Sequence, residues 1–369
     1  MLKTIPYLFV LTLVLWASAC VAQSPWTKYE QLFQPAKHYL GYRVAEKITI
    51  DGKALESSWT KAEWSDDFVD IEGDRMPAPL YQTRMKMLWD QDYLYILAQL
   101  EEPNIWAYYD QRDMIVYHEN DFEVFVDPNG DGINYFEYEV NARNNLFDLF
   151  MSKSYRSGGQ ALLSYNSLGF ESAVSIDGTI NNPADTDHHW TVEIKIPFSE
   201  LAIWGDAVAP ADGDQWRINF SRVNWQTEVT NGKYHQKKNP ETGKSYPEYN
   251  WVWSAPGIIS MHAPERYGLL QFSTNTVGEQ PVAFSHPQDQ QLRDCCWLVF
   301  YYQQAYRAEN KRFATSLKEL NLPVKLERNG RSFQVNLSAS PQQFTVFVSD
   351  DDGQTYTLNN DGLIQAVNK

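Results

Sequence analysis

Cysteine is nearly absent, with three in 369 residues. Three thiols cannot build a disulfide framework, so stability has to come from a packed core. Basic residues are also few. Lys plus Arg is 31 against 47 Asp plus Glu, a formal net charge of −16. That balance removes the cationic face that nucleic-acid phosphates and anionic lipid headgroups require. Charged residues together make up only 21 % and hydrophobic ones 43 %, which excludes a disordered chain. Beyond its N-terminal end the sequence has no apolar run of about 18 residues, the length that crosses a bilayer as a helix. Aromatics are what it has in excess: 13 Trp, 22 Tyr and 18 Phe, with 18 Pro and 19 Gly. An acidic, ring-rich chain of this kind reads as β-rich and globular, with room for two or three domains.

The N-terminus reads as a targeting segment. Lys3 supplies a positive end, and Ile5 to Trp16 an apolar stretch broken only by Pro6 and Thr12. Ala17, Ser18, Ala19, Cys20, Val21 and Ala22 supply small residues for cleavage. Residues 1–22 are therefore expected to be a signal peptide, placing the protein in the periplasm, outside the cell or at its surface. Cleavage after Ala22 is the preferred reading. The alternative is a lipoprotein anchored through Cys20, with Ala17 at the position where Leu is usual. Cys295 and Cys296 are adjacent, a spacing unsuited to a disulfide, and read as small buried residues of a helix.

Residues 23–40 form a polar leader with scattered aromatics. From 41 to 275 the pattern alternates with period two. Trp190, Val192, Ile194 and Ile196 face one way, Thr191, Glu193 and Lys195 the other. Phe122, Val124 and Val126 oppose Asp121, Glu123 and Asp127, and Trp216, Ile218 and Phe220 oppose Arg217, Asn219 and Ser221. Asp51-Gly52, Asn129-Gly130, Asp177-Gly178, Asp212-Gly213 and Asn231-Gly232 mark turns. Many short strands with one apolar face predict an antiparallel β-sandwich. Residues 276–288 read as a linker. In 289–369, Leu292, Cys295, Val299, Tyr302 and Tyr306 recur at helical spacing. Ser316 to Glu319 looks like the capping box of a second short helix, and alternating strands follow. The last segment is thus a small α+β module.

Several pieces of the long β segment carry a resemblance in their order. Ile48-Thr49-Ile50-Asp51-Gly52 leads into Trp59 and Ala62, followed by Leu88-Trp89-Asp90 and Tyr93-Leu94-Tyr95-Ile96. Then come Asp121-Phe122-Glu123-Val124-Phe125-Val126-Asp127-Pro128 and Phe136-Glu137-Tyr138-Glu139-Val140-Asn141. Trp253-Ser254-Ala255-Pro256 and Pro264-Glu265-Arg266-Tyr267-Gly268 close the series. Together these resemble carbohydrate-binding module family 9, a DOMON-like, jelly-roll-like sandwich, over roughly residues 41–275. The resemblance implies binding of xylan- or cellulose-type sugars, frequent attachment to glycoside hydrolases, and structural calcium in many members. It also implies a clamp of two rings with hydroxyl-binding groups. By position the first ring falls at Tyr117 and a carboxylate at Glu123. An Arg of the family falls where this chain has Glu139, and the second ring where it has Met261, beside His262.

The same residues can be read physically. A pyranose offers an apolar face to an exposed ring and a rim of hydroxyls to carboxylates. Tyr117, Trp106, Tyr108, Trp251 and Trp253 are the candidate rings. Glu123, Glu137 and Glu139 project to one side of a hairpin, where like charges facing each other are unfavourable. Arg143, Arg222, a bound cation or a ligand would compensate; a solvated face with screened repulsion is the plain alternative. Asp127, Asn129 and Asp131 open like a calcium loop but lack a Glu at the twelfth position, where Tyr138 stands, so a simple hairpin loop competes with a structural calcium site. No other cofactor is required. His188 and His189, near Asp185 and Asp187, read as loop polarity. The first expectation is therefore an exported carbohydrate-binding protein using Tyr117, Trp106, Glu123, Glu137, Glu139, Arg222, Met261 and His262. One alternative is a glycoside hydrolase or a partner of one, since paired carboxyl groups about 5 to 9 Å apart suffice for hydrolysis. The other is a b-type haem-binding redox module ligated at Met261-His262.

Overall fold

The computed structural model describes residues 24–203 and 209–367. The expected signal peptide, with Cys20 and Ala22, lies outside them. Alternation builds the sheets as anticipated. Phe122, Val124 and Val126 from Asp121–Asp127, and Phe136, Tyr138 and Val140 from Tyr135–Asn141, enter the main apolar core. Met85, Met87 and Trp89 from Thr83–Trp89 pack into it with Leu94, Ile96, Ala98 and Leu100 from Tyr93–Glu101. His189–Pro197 adds Trp190, Val192, Ile194 and Ile196.

One hydrogen-bonded path links the halves. It runs from Ala161–Leu162 through Leu146–Met151, Tyr135–Asn141, Asp121–Asp127, Gln215–Asn224 and Gly268–Thr276. It continues through His38–Arg43, Thr83–Trp89, Tyr93–Glu101 and His189–Pro197 to Glu171–Asp177. The two ends share a core, which makes this mainly β domain a sandwich. His38–Arg43 departs from the antiparallel rule, lying parallel to both neighbours.

That strand begins before residue 41, so the leader is part of the fold. Thr27–Phe33 forms a 3-10 helix, and Trp26, Leu32 and Phe33 enter the core of the C-terminal module. The module has the expected α+β form: the helix Gln290–Asn310 packs on a five-stranded meander. Cys295 and Cys296 are free and buried in the helix. The second short helix does not form. Glu319 N–H donates to Ser316 Oγ at 3.4 Å, but Asn321 takes a positive φ of 55° and Pro323 follows, so one turn is all the segment makes. Among the described residues no helix is long and apolar enough to cross a membrane.

The module is bonded to the sandwich. Arg156 Nη2 donates to Glu265 Oε2 at 2.5 Å, and the Tyr301 hydroxyl, from the helix, donates to Glu265 Oε1 at 2.6 Å. Ile364 N–H donates to Asp131 O at 2.9 Å. The linker lies along the sheet, with Phe284 stacked on His38 at 4.2 Å.

The Asp51-Gly52 turn shows why one early motif is built as it is. Buried Glu193 accepts from Asp51 N–H at 3.0 Å, Gly52 N–H at 2.6 Å and Trp59 Nε1 at 2.8 Å. Gly52 has φ +78°, and a Cβ there would lie 2.8 Å from backbone atoms of Val174 and Ser175. Gly213 has φ +85° with nothing within 4 Å. Gly52→Ala should therefore cost about 1–3 kcal/mol more than Gly213→Ala, because it adds a backbone clash to a similar φ strain. Urea denaturation midpoints compare the two, and equal losses would remove the packing argument.

Candidate functional site

The side of the Asp121–Asp127 and Tyr135–Asn141 hairpin that faces away from the core carries the carboxyl groups. Register sets Glu123 directly opposite Glu139, and Phe125 opposite Glu137. On the next strand Phe147 lies opposite Glu139 and Leu149 opposite Glu137. This face is not solvated. Ile71, Phe125, Val252, Met261 and Tyr267 form one apolar cluster, and Val116, Tyr135, Phe147, Leu149 and Met151 another. Glu123, Glu137 and Glu139 are 5 %, 4 % and 2 % exposed.

They line a recess of about 540 Å³, with Tyr117, Tyr155, Glu248, Met261 and His262 also on its wall. Tyr117 sits on a 3-10 turn, Val116–His118. Its N–H donates to Glu139 Oε2 at 3.2 Å, and its carbonyl accepts from Trp225 Nε1 at 2.9 Å. These bonds fix the backbone while the ring stays 40 % exposed. Tyr155 is 49 % exposed and meets His262 edge-on at 4.4 Å. Six of the expected residues, Tyr117, Glu123, Glu137, Glu139, Met261 and His262, thus share one concavity.

Two do not. Arg222 is on the core side, in register with Phe122. It is fully buried, with Nη2 donating to Glu102 Oε2 at 2.7 Å and Nη1 to Glu101 O at 2.8 Å. Trp106 is buried away from the recess, in a loop tied down by bonds such as Ala107 N–H to Asn181 at 3.0 Å. Trp251 and Trp253 are buried in the core. Arg143 stands 3.7 Å from Asp110 instead of facing the glutamates. No Lys or Arg lines the recess among the described residues.

The acids therefore compensate by holding protons. Burial, and after it the charge of Glu248, pushes Glu123 up to about 7. Glu137 and Glu139 are pushed well above the carboxylate range by burial and then by Glu123. Asp121, fully buried beside them, is raised by burial and then by Glu123. His262 gives no positive charge at neutral pH, because burial lowers it to about 4. Its Nδ1 meets the Tyr135 hydroxyl at 3.0 Å, and Nε2 lies 3.9 Å from Glu137 Oε2. Met261 packs with Phe125 and Tyr267, an arrangement that lends the haem reading no support.

The Asp127 loop is occupied with itself. Asp127 accepts from Gly130 and Gly132 N–H, each at 3.0 Å, Asn129 from Asp131 N–H at 3.2 Å, and Asp131 from Ile133 N–H at 3.0 Å. Burial pushes Asp127 up to about 7. The carboxylates whose oxygens do converge are Asp121, Glu123 and Glu139.

A family model described as carbohydrate family 9 binding domain-like matches residues 50–249, more than half of the chain. The chain belongs to this family. It is 31 % identical over 168 residues to Exoglucanase XynX of Acetivibrio thermocellus, covering 44 % of this chain and 13 % of that protein. It is 33 % identical over 121 residues to Endo-1,4-beta-xylanase A of Thermoanaerobacterium saccharolyticum, covering 31 % and 8 %. The chain thus spans a small fraction of either relative. Among solved structures it is similar to a family 9 module from Caldicellulosiruptor kristjanssonii. With glucose bound, that structure matches at TM-score 0.41 and 15 % identity, over 66 % of this chain and all of the module. With cellotriose bound, it matches at TM-score 0.40 and 15 % identity, over 68 % and all.

In this family 9 domain, Tyr155 and Glu248 line the recess without having been expected there from the sequence. Tyr155 follows a strand in the polar stretch Ser152-Lys153-Ser154 and precedes Gly158-Gly159. A ring in such a loop was a visible sign of exposure. Glu248 lies in Pro247-Glu248-Tyr249, outside any periodic pattern.

The raised acids have a stability consequence with a definite sign. Glu123 holds its proton more tightly folded, near 7, than unfolded, near the ordinary 4.5. Its contribution is fully present below about pH 4.5 and is lost as pH rises through about 7. In chelator-treated protein, Glu123→Gln should therefore gain thermal stability relative to wild type between pH 5 and pH 8, on the order of a few degrees. Melting curves at both pH values measure it, and a pH-independent difference would refute the buried-acid account.

Proposed function

We propose that this protein is an exported, non-catalytic carbohydrate-binding protein that holds a neutral glycan of the xylan or cellulose type in the Tyr117–Tyr155 recess, in support of polysaccharide breakdown. The observation that carries this is the convergence of two exposed rings and three buried glutamates on one concavity. Rings cover the apolar face of a pyranose at low entropic cost. Buried carboxyl groups, protonated or ionised, can donate to or accept from hydroxyls. Among the described residues no Lys or Arg lines the recess, so a uronic acid would find no cation to pair with there and neutral sugars are favoured. Family membership supports the same reading, as does the likeness to parts of a xylanase and an exoglucanase.

Hydrolysis asks for more than a raised acid. Glycosidases push two carboxyl groups apart, one protonated and one ionised. Here burial raises all of them together, and among the described residues no Lys or Arg lines the recess to hold one ionised. That favours binding over catalysis.

Calorimetry with cello- and xylo-oligosaccharides tests the proposal. Wild type should bind at least one series, and Tyr155→Ala should weaken that binding about tenfold. Tyr155 is half-exposed, so the fold should survive the change. Unchanged affinity in both Tyr155→Ala and Tyr117→Ala would overturn the site, and release of reducing sugar by wild type would overturn the non-catalytic part.

A further inference from the structure

We propose that Asp121, Glu123 and Glu139 bind one hard divalent cation of the calcium class beside the recess that Glu123 and Glu139 line. One ligand oxygen from each lies within 4.8 Å of the other two. That span is about twice a calcium–oxygen bond, so a single ion can reach all three. The three side chains are nine-tenths or more buried. Asp121 Oδ1 accepts from Val223 N–H at 3.3 Å, while its Oδ2 is buried with no partner among the described residues. Glu137 Oε2, on the recess wall, is a second buried oxygen with no partner. Native interiors rarely leave such oxygens unsatisfied, and a ligand that accepts their lone pairs is a direct remedy.

Among the described residues no Lys or Arg lines the recess. The titratable groups facing the cluster are Glu119, Glu137, Glu248, Tyr117 and His262, the last held neutral by burial. Paired strands hold Glu123 and Glu139 opposite each other, so the repulsion cannot relax by separation. The donors are all oxygen, the set that suits calcium, magnesium or manganese over softer metals. Calcium fits best, because it tolerates irregular geometry and keeps positions for water from the open recess. The ion would displace the protons that the acids otherwise hold. The Asp127 hairpin loop is a different place, where Asp127 accepts from the backbone N–H groups of Gly130 and Gly132. The cation site holds whether or not a glycan binds.

The test is calorimetric titration of calcium chloride into chelator-treated full-length protein at about pH 8, without sugar. One calcium should bind, with a heat that varies with the buffer's ionisation enthalpy as protons are released. Glu139→Gln should weaken binding tenfold or more, and Asp121→Asn likewise. Asp131→Asn, in the hairpin loop, should leave it unchanged. Circular dichroism confirms that each variant is folded, and Glu139→Gln decides alone if Asp121→Asn is not. No binding up to about 10 mM, beyond the range of extracellular calcium modules, would overturn the proposal. So would full affinity in folded Glu139→Gln. Either result leaves the glycan reading intact, since that is judged by the ring variants.

Discussion

The recess rests on a backbone constraint. Two antiparallel strands fix Glu123 opposite Glu139 and Phe125 opposite Glu137, and hydrogen bonds along both strands keep them there. Side-chain repulsion is small beside the pairing of whole strands, so the acids stay and their protonation adjusts. Apolar residues on the same face exclude water, which strengthens every electrostatic effect among them. A site of this kind is rigid and acidic, with Phe125 and Phe147 packed beside the acids and the exposed rings of Tyr117 and Tyr155 at its rim.

That rim is held from a distance. Tyr155 precedes Arg156, whose guanidinium is paired with buried Glu265, and Glu265 also accepts from Tyr301 in the C-terminal helix. A buried pair with a third partner tolerates little movement, because a broken half leaves an uncompensated charge. The C-terminal module therefore acts on the recess without lining it, by fixing the turn that presents one of its rings.

Much of this was legible in the residues, and the exceptions have physical causes. Period-two alternation put Glu123, Glu137 and Glu139 on one face, because strand geometry leaves no other choice. Applied to Arg222, the same rule overturns its expected place beside the glutamates: with Ser221 outward, residue 222 shares the core side with Phe220, and its charge is met there by Glu102. Burial was harder to read. A strand face rich in glutamate looks solvated until loops from residues 71, 115 and 261 close over it, and nothing local encodes their arrival. The exposure of Tyr155 was legible in its polar loop, but its place at the recess depends on Arg156 and Glu265, which are 109 residues apart. The leader looked like a tail because Trp26 and Phe33 find their partners at the other end of the chain.

Those partners set an order of events. Trp26 Nε1 donates to the carbonyl of Glu327, 301 residues away, and the Tyr302 hydroxyl to that of Pro25, 277 residues away. During synthesis the Thr27–Phe33 turn cannot complete its packing until residues about 300 positions further along have left the ribosome. Closure of these contacts is thus a late, non-local event, slow to find by chance search and easily delayed by anything that holds the nascent chain open.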